Sequence, residues 1–264
     1  MDTVLLEKHF ARVGARVRFG EPNERRRERP GIDIGHDRRG EFFDVRIAPG
    51  EAVSYQVIDL RPDLRHLLLL ARRGGAKEKY LCGHDERHWF VCAVPGKSVS
   101  QVRGAMRALQ PPLVRWSVHA SLRRQKNLFR RRNEAFVRQG EWFFVPAPEL
   151  VVGRGRVLRD EPLTRGFGSK PHVCQYAHRS GGTTVMVCRY YPAGLLPAEY
   201  RRLLADDPNA ARWGWHPMTR DPWLYVRGTV RHPDHKTIVL DGWHRVAMNT
   251  EREAPFAPRV VFLD

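Results

Sequence analysis

The sequence has few cysteines and no long apolar segment. Its four cysteines show no CxxC spacing and lie in apolar, strand-like contexts, which is typical of reduced, buried thiols in a cytosolic protein rather than of a disulfide framework. The longest uninterrupted apolar stretch is 67–71, and a membrane-spanning helix needs roughly 18 residues. The only apolar run near the N-terminus is 4–6, so no secretory signal is predicted. We therefore expect a cytoplasmic protein without a membrane partner.

Acidic residues are also scarce relative to basic ones. The chain has 46 lysines and arginines against 29 aspartates and glutamates, which gives a formal net charge of +17 at pH 7. Such an excess repels itself in a compact state unless an anion offsets it, so polyanions are the first partners to consider. Most of the excess is arginine, whose planar guanidinium binds phosphate through two hydrogen bonds and stacks on bases. The composition therefore predicts a nucleic-acid partner.

Apolar patterning predicts an α+β fold that is mainly antiparallel β with a few short helices. The hydrophobic content of 42% over 264 residues is sufficient for a core without disulfide or metal staples. Alternating apolar residues indicate strands in FFDVRI, AVSYQVIDL, RHLLLLAR, KYLC and HWFVCAVP, then in EAFV, EWFFVP, HVCQYA, TTVMVCRYY, WLYVRGTV, KTIVL and WHRVAMN. Helical spacing is seen at 3–13, where Asp2 or Thr3 is the expected cap, at 98–109 and at 197–205.

Two modules are expected from this order of elements. The first, 1–112, is an N-terminal α+β module that contains a basic loop at 16–40, where arginines lie among Gly, Pro, Asn and Glu. The prolines at 111–112 predict the end of the helix at 98–109, and we place the boundary between the two modules there. The second module, 113–264, consists of a basic helix followed by a β-rich part.

The basic segment 121–138 is the strongest signal for a binding site. Ser121 as a cap and an apolar stripe of Leu122 and Phe129 predict a helix that ends near Asn133. The segment contains a single acid, Glu134, and like charges one turn apart destabilise a helix by roughly 0.2–0.5 kcal/mol per pair, so we expect external phosphates to neutralise it. The predicted nucleic-acid contacts are Arg123, Arg124, Lys126, Arg130, Arg131, Arg132 and Arg138, with Arg25, Arg26 and Arg27 of the basic loop. The alternative is a solvated face screened by salt.

Aromatic residues interleave with the charge in the C-terminal half. They are Trp142, Phe143, Phe144, Trp213, Trp215, Trp223, Tyr225 and Trp243. Exposed rings stack on unpaired bases with about 1–3 kcal/mol per base, and unpaired RNA is the usual target of such contacts, which favours RNA over DNA. In alternating segments such as 141–145 the rings also have to fill the core, so packing is the competing interpretation. The Gly- and Pro-containing stretch 213–217 is the best exposed candidate.

Histidines mark a second candidate site. The sequence RHPDH at 231–235 predicts a β turn that brings His232 and His235 close together. Such a pair, completed by other histidines, could ligate Zn or Mn, or could act without metal as an acid and base in RNA cleavage. The predicted metal ligands are His172, His178, His232 and His235, and the predicted catalytic histidines are His172, His232, His235 and His244. A divalent metal is the only cofactor considered. The alternative is a hairpin turn whose histidines are solvated or hydrogen-bonded.

Three stretches carry a resemblance to known proteins: LCGHDERHWFVCAVP, RNEAFVRQGEWFFVP and VRGTVRHPDHKTIVLDGWHRVAMNTE. Together they resemble a family of bacterial proteins of similar length and unknown function, and the match spans most of the chain. The latter half also resembles small bacterial proteins with an RQGD opening, a pair of close histidines and an HxxH segment; the counterparts here are 138–141, the region of His172, and His232 with His235. This chain has PHVCQYAH in place of the close pair. The resemblance implies one C-terminal module and no particular activity.

Three functions remain open at this point. The first is nucleic-acid binding, with RNA favoured, in a ribonucleoprotein, an RNA-processing system or a defence system; this function requires no catalysis. The second is a histidine- or metal-dependent hydrolase that acts on RNA or another phosphorylated substrate. The third is an interaction subunit whose positive surface meets an acidic protein.

Overall fold

The computed structural model describes residues 2–23, 30–50, 52–96, 98–121, 124, 127–165, 169–251 and 262–263. These residues form two compact units. Of the described residues, the first unit contains 2–143, 233–236 and 247–251, and the second contains 144–232, 237–246 and 262–263. No helix in the described part of the chain is both long enough and apolar enough to cross a membrane.

Strands predominate in both units, as the sequence predicts. The strands are β1 (Val17–Gly20), β2 (Gly31–Asp37), β3 (Gly40–Arg46), β4 (Val53–Arg61), β5 (His66–Arg73), β6 (Ala76–Asp85), β7 (His88–Ala93), β8 (Val137–Gln139), β9 (Trp142–Pro146), β10 (Leu158–Leu163), β11 (His172–Ser180), β12 (Thr183–Cys188), β13 (Tyr191–Leu195), β14 (His216–Arg220), β15 (Trp223–Arg231), β16 (Ile238–Met248) and β17 (Phe262–Leu263). The helices of the described residues are α1 (Thr3–Arg12), α2 (Val102–Ala108), α3 (Pro112–Ser121) and α4 (Pro197–Asp206). The expectation of a mainly antiparallel β fold with a few short helices is confirmed.

Helix α1 lies where the sequence predicts it. The Asp2 carboxylate accepts a hydrogen bond from the backbone N–H of Leu5 at 2.9 Å and so caps the first turn. Leu6 and Phe10 form the buried face, and the Phe10 ring packs on Phe43 of β3 with 4.9 Å between ring centroids. The helix is therefore held against the sheet of order β1-β3-β2, in which β1 and β3 are parallel.

The antiparallel meander β4-β5-β6-β7 confirms the predicted hairpins. Its central strand β5 carries consecutive leucines because both of its faces are covered. Leu67 and Leu69 belong to the core that includes Phe10, whereas Leu68 packs on the other side with Val102 and Ala105 of α2. All three leucines are fully buried.

The predicted basic loop at 16–40 is wrong for its described residues, which form β1 and β2. Val17 and Phe19 on β1 pack against the core below α1, which is a sufficient apolar face for a strand that the surrounding arginines had obscured. Arg16 donates two hydrogen bonds to the Asp37 carboxylate, at 2.8 and 3.0 Å. These contacts hold the pKa of Asp37 well below its usual range, at about 2. The predicted contacts Arg25, Arg26 and Arg27 lie outside the described residues.

The predicted basic helix from Ser121 to about Asn133 is also wrong for its described residues, since 127–133 form no α-helix. Helix α3 occupies Pro112–Ser121 and ends where the sequence-based helix was expected to begin. Pro112 opens α3, because a proline in the first turn removes an N–H group that has no helical acceptor. Further on, the Asn133 amide competes with helix formation: its Nδ2 donates to the Asn127 carbonyl at 3.1 Å, and its Oδ1 accepts from the N–H of Ala135 at 2.8 Å.

The second unit contains two sheets. In one, β12 lies between β13 and β14, and β14 pairs with β17. In the other, β11 lies between β10 and β15, and β15 pairs with β16; all of these pairs are antiparallel. The two strands predicted at KTIVL and WHRVAMN are one continuous strand, β16. Helix α4 confirms the prediction at 197–205, and its Glu199 carboxylate accepts from the Leu196 N–H at 2.7 Å.

Candidate nucleic-acid interface and histidine cluster

Two of the predicted phosphate-binding arginines form internal ion pairs. Arg138 contacts the Asp85 carboxylate at 2.9 Å, and Arg131 contacts both Asp85 and Glu86, which lie at the turn between β6 and β7. Burial lowers the pKa of Arg131, although Asp85 opposes that shift. The expectation that segment 121–138 cannot be neutralised internally is therefore wrong for these two side chains, because the acids come from another part of the same unit.

The other predicted cations divide into two groups. Arg124, Arg130 and Arg132 are described by the structure, and all three are exposed or partly exposed. Arg123 and Lys126 lie outside the described residues, as do the loop arginines named above. For all of these residues, contact with nucleic acid stays a prediction.

Three of the eight predicted aromatic candidates fill the core. Trp142, Phe143 and Phe144 on β9 are buried, which agrees with the packing interpretation. The exposed-loop candidates Trp213 and Trp215 are only half exposed, and both rings lie nearly parallel to that of Tyr191, with centroid distances of 6.1 and 5.6 Å. The ring faces of Trp213 and Trp215 are therefore partly covered by neighbouring aromatic rings.

Three other predicted aromatic residues, Trp223, Tyr225 and Trp243, share one face of the β10-β11-β15-β16 sheet with Tyr176 and several arginines. Residues that oppose each other in register lie on the same face of a sheet. One row is Arg159, Tyr176 and Arg227, and the next is His178, Tyr225 and Arg245. With Ser180 and Trp223, which are also opposed, and Trp243, which precedes Arg245 by two residues, these rows define a surface that we call the arginine–aromatic face.

Arginines and rings alternate in direct contact across this face. The Arg227 guanidinium carbon lies 5.2 Å from the centroid of Tyr176 and 4.9 Å from that of Trp243. Arg159 lies 5.7 Å from the Tyr176 centroid, and Arg245 lies 4.3 Å from the Trp223 ring. Trp223 remains 49% exposed. The contacts hold the guanidinium groups at the surface, where they stay accessible to an anion.

A paired irregularity in two strands shapes this face. The register of β11 against β15 shifts between Cys174 and Tyr176, and Gly228 on β15 adopts a φ of +77°. The Gln175 side chain fills the resulting space, since its Oε1 accepts from the Thr229 N–H at 3.0 Å. A bulge of this kind re-aims the side chains next to it. The glycine within WLYVRGTV is a sequence signal for this bulge that strand periodicity alone misses.

Neighbouring acids are paired with other arginines. Asp160 contacts Arg231 at 2.9 Å, and Glu161 contacts Arg179 at 2.5 Å. Within the part of the chain that the structure describes, the three arginines of the face, Arg159, Arg227 and Arg245, contact rings and form no salt bridge. The arginine–aromatic face therefore carries net positive charge.

Two of the predicted histidines come together. His172 opens β11 and is 2% exposed, and its ring stacks on that of His232, with 4.2 Å between centroids and 27° between planes. His235 lies in the turn after β15, among the residues that belong to the first unit.

His232 and His235 each lie close to polar groups of their own unit. His232 Nε2 lies 3.2 Å from the carbonyl oxygen of Lys170. His235 Nδ1 lies 3.8 Å from the Glu86 carboxylate, which also accepts from the Lys236 N–H at 2.9 Å. The backbone at Gly140 approaches closely, because a Cβ there would lie 2.9 Å from His235 Nε2. The turn that presents His235 is thus fixed from both sides.

The other two nominated histidines, His178 and His244, lie apart from the stacked pair of His172 and His232. His178 is six residues beyond His172 on the same strand, a separation of about 20 Å at roughly 3.3 Å per residue; its Nδ1 lies 3.0 Å from the Arg156 carbonyl oxygen. His244 opposes Val226, five residues before Arg231, and its Nδ1 lies 2.9 Å from the Gly242 carbonyl. Strand geometry therefore separates both residues from His172 and His232.

Comparison of the chain with protein-family models, with curated proteins and with solved structures found no match. The function therefore has to be inferred from the chemistry of the described residues.

Proposed function

We propose that the protein binds nucleic acid, RNA in preference to DNA, on the arginine–aromatic face. The observation that carries this proposal is the alternation of Arg159, Tyr176, Arg227 and Trp243 in mutual contact on one sheet surface. This function requires no catalysis. It would suit a component of a ribonucleoprotein, of an RNA-processing system or of a defence system.

The chemistry of the face suits a single strand. Unpaired bases offer their faces to aromatic rings, and each base–ring stack contributes about 1–3 kcal/mol. Guanidinium groups next to the rings supply paired N–H donors for the phosphates between stacked bases. A duplex hides its base faces, so we expect single-stranded RNA to bind more tightly than duplex RNA of the same length.

The long-range charge supports the same partner. A net charge of +17 attracts polyanions and accelerates their encounter. The Arg131 and Arg138 ion pairs with Asp85 and Glu86 reduce the share of this charge that segment 121–138 can offer. The arginine–aromatic face is therefore the principal contact in our proposal, and Arg124 and Arg130 are secondary ones.

The first experiment removes charge from the face and compares it with equal removal elsewhere. Arg159, Arg227 and Arg245 are changed together to Gln; the matched control changes Arg201, Arg202 and Arg212 of the same unit to Gln. Binding of a fluorescently labelled single-stranded RNA is followed by anisotropy at 50 to 200 mM salt. For the face variant, loss of three phosphate contacts should make the slope of the logarithm of the association constant against the logarithm of the salt concentration less steep by about 2. Equal losses in both variants would refute the proposed location.

A second experiment separates stacking from charge. Tyr176 and Trp223 are changed singly to Leu, which keeps the net charge. If a base stacks on the ring, each change should weaken the binding of single-stranded RNA by about 5- to 100-fold. The salt slope should not change. Polyglutamate of equal charge and unlabelled RNA are then compared as competitors of the labelled RNA. If polyglutamate displaces the labelled RNA as effectively as unlabelled RNA does, the result would instead support an acidic protein partner.

The predicted division into modules 1–112 and 113–264 and the predicted cytoplasmic location are retained as proposals. In the described structure, 113–143 groups with the N-terminal residues. Limited proteolysis followed by mass spectrometry tests the boundary, since a true module boundary should be cleaved first.

A further inference from the structure

We propose that a cavity beside β1 in the first unit binds the phosphate group of a small phosphorylated molecule. The cavity is open to solvent and has a volume of about 340 Å³, which lies within the range of roughly 300–1,000 Å³ that is usual for small-molecule sites. Three arginines line it, Arg16, Arg18 and Arg39, and we call it the arginine cavity. All of its lining residues belong to the first unit, and none of them is part of the arginine–aromatic face. The proposal is therefore independent of RNA binding by that face.

One carboxylate, that of Asp37, contacts all three arginines. It accepts hydrogen bonds from the Arg16 side chain at 2.8 and 3.0 Å, and from Arg18 Nη2 at 3.1 Å. It also accepts from the backbone N–H of Arg39 at 2.8 Å. Arg16 donates in addition to the Gly40 carbonyl oxygen at 2.6 Å, so its guanidinium group is committed to the fold. The cavity wall is thus ordered before a ligand arrives, which reduces the entropy cost of binding.

Arg18 and Arg39 supply the hydrogen-bond donors that a ligand can use. The Arg18 guanidinium carbon lies 4.2 Å from the centroid of the Phe42 ring, and the side chain is 59% exposed. Because Asp37 engages only Nη2 of this group, Nε and Nη1 keep their in-plane N–H donors at the ring edge. Arg39 is exposed, and its guanidinium group forms no salt bridge with a residue in the described ranges. Two guanidinium groups can therefore donate to the same anion.

Charge and the number of donors favour phosphate among the possible anions. The three arginines outnumber the nearby carboxylates of Asp37 and Glu7, and hydrogen bonds from Arg16 hold the pKa of Asp37 at about 2. A phosphate monoester carries about −1.5 to −2 charges at pH 7 and has three strong acceptor oxygens, enough for two guanidinium groups. A carboxylate is satisfied by a single arginine. The Phe42 ring is only 6% exposed, so it offers little area for stacking, and the phosphate is the part of the ligand that the cavity recognises.

The first test uses inorganic phosphate and ribose 5-phosphate as probes of the full chain. Calorimetry at low salt should show one site per chain for both probes, no binding of ribose, and binding of acetate that is weaker by about 10-fold or more. Arg18→Gln and Arg39→Gln should each weaken phosphate binding by about 10-fold or more, because each removes hydrogen bonds between charged groups. Arg38→Gln is the matched control: Arg38 is the preceding exposed residue of the same turn, is not part of the lining, and should change the affinity by less than about 2-fold.

Two acidic residues separate positioning from attraction by net charge. Glu7→Gln and Asp37→Asn each remove one negative charge from the surroundings of the cavity, so attraction by net charge alone would strengthen binding in both variants. We expect Glu7→Gln to strengthen phosphate binding by about 2- to 5-fold. Asp37→Asn should instead weaken it by about 10-fold, because Arg16 and Arg18 lose the carboxylate that orders them. Arg39→Gln and Glu7→Gln change exposed side chains and should leave the far-UV circular dichroism unchanged, so the test does not depend on the fold of the Asp37 variant.

Four results would overturn the proposal. They are stronger binding in both acidic-residue variants, unchanged binding in both Arg18→Gln and Arg39→Gln, equal affinities for phosphate and acetate, and an absence of phosphate binding by the folded, unmodified chain. Each of these results leaves RNA binding by the arginine–aromatic face to its own test.

Discussion

Gly228 offers a sharp test of how the arginine–aromatic face is built. Its φ of +77° is in the left-handed region, and a Cβ at this position would lie 2.3 Å from Gln175 Oε1. That oxygen accepts the Thr229 N–H hydrogen bond, so Gly228→Ala both strains the backbone and displaces a hydrogen-bonding partner. Gly214 is a matched control, because its φ is +72° and a Cβ added there would meet no described atom within 4 Å.

The expected magnitudes follow from these two differences. Placing alanine in the left-handed region costs about 1–2 kcal/mol at either glycine. At residue 228 the displaced Gln175 side chain also leaves the Thr229 N–H without its acceptor, which adds about 1–3 kcal/mol. Gly228→Ala should therefore lower the free energy of unfolding by about 2–5 kcal/mol, and Gly214→Ala by about 1–2 kcal/mol.

Urea unfolding followed by tryptophan fluorescence measures both losses. At an m value of about 2–3 kcal/mol/M, the midpoint should fall by about 1 M or more for Gly228→Ala and by about 0.5 M for Gly214→Ala. In a Gln175→Ala background, Gly228→Ala should lower the free energy of unfolding only by the backbone strain, because the side-chain amide that the new Cβ would meet is absent. Equal losses for the two glycine variants, or no coupling with Gln175, would refute this account of the bulge.

Three other predictions concern stability and reactivity. Asp85→Asn should lower the free energy of unfolding by about 2 kcal/mol, since it weakens charge-assisted bonds to two arginines; an unchanged urea midpoint would contradict this. Burial lowers the pKa of His66, so its contribution to stability is complete above an unfolded value of about 6.5 and declines as pH falls below it; His66→Gln should flatten the dependence between about pH 7 and pH 5. Burial raises the pKa of Cys174 to about 12 and that of Cys82 well above its usual value, so neither thiol should react with a disulfide reagent at pH 8 until urea unfolds the chain.

Local patterns in the sequence were sufficient for much of the fold. Asp2 caps α1 as expected, and the alternating apolar residues of β4 to β7 assemble in the predicted order. These elements depend on contacts between residues close in the chain, for which propensity and periodicity are good guides. The run 67–70 was also read correctly as a strand, although its burial on both faces depends on α1 and α2.

The errors came from positions where distant contacts decide the structure. The prolines at 111–112 correctly predict a helix stop, because α2 ends at Ala108, but the sequence analysis misses that Pro112 also begins α3. The charge of Arg131 and Arg138 was assigned to an external anion because Asp85 and Glu86 are more than forty residues away in sequence. No local rule reveals such a pair, and only the fold brings the two segments together.

The positions of the nominated histidines were predictable in part. The turn rule linked His232 and His235, and residue type nominated His172. His178 was nominated on the same grounds, but it lies about 20 Å from His172 because the two residues are six positions apart along an extended strand. Spacing within a turn is informative about proximity, whereas spacing along a strand is informative only when its pairing is known.

The contrast between the two arginine groups explains why a count of cations is a weak guide to a binding surface. Arg131 and Arg138 belong to the most basic segment, yet their guanidinium groups are committed to carboxylates of the same unit. Arg227 stands in an ordinary strand sequence, WLYVRGTV, yet its guanidinium group contacts two rings at a surface whose neighbouring acids, Asp160 and Glu161, pair elsewhere. An arginine on a ring keeps its in-plane N–H donors available for phosphate, whereas an arginine in a salt bridge must first break that bridge. The arrangement of acids, more than that of bases, therefore determines which arginines of this chain stay accessible to an anion.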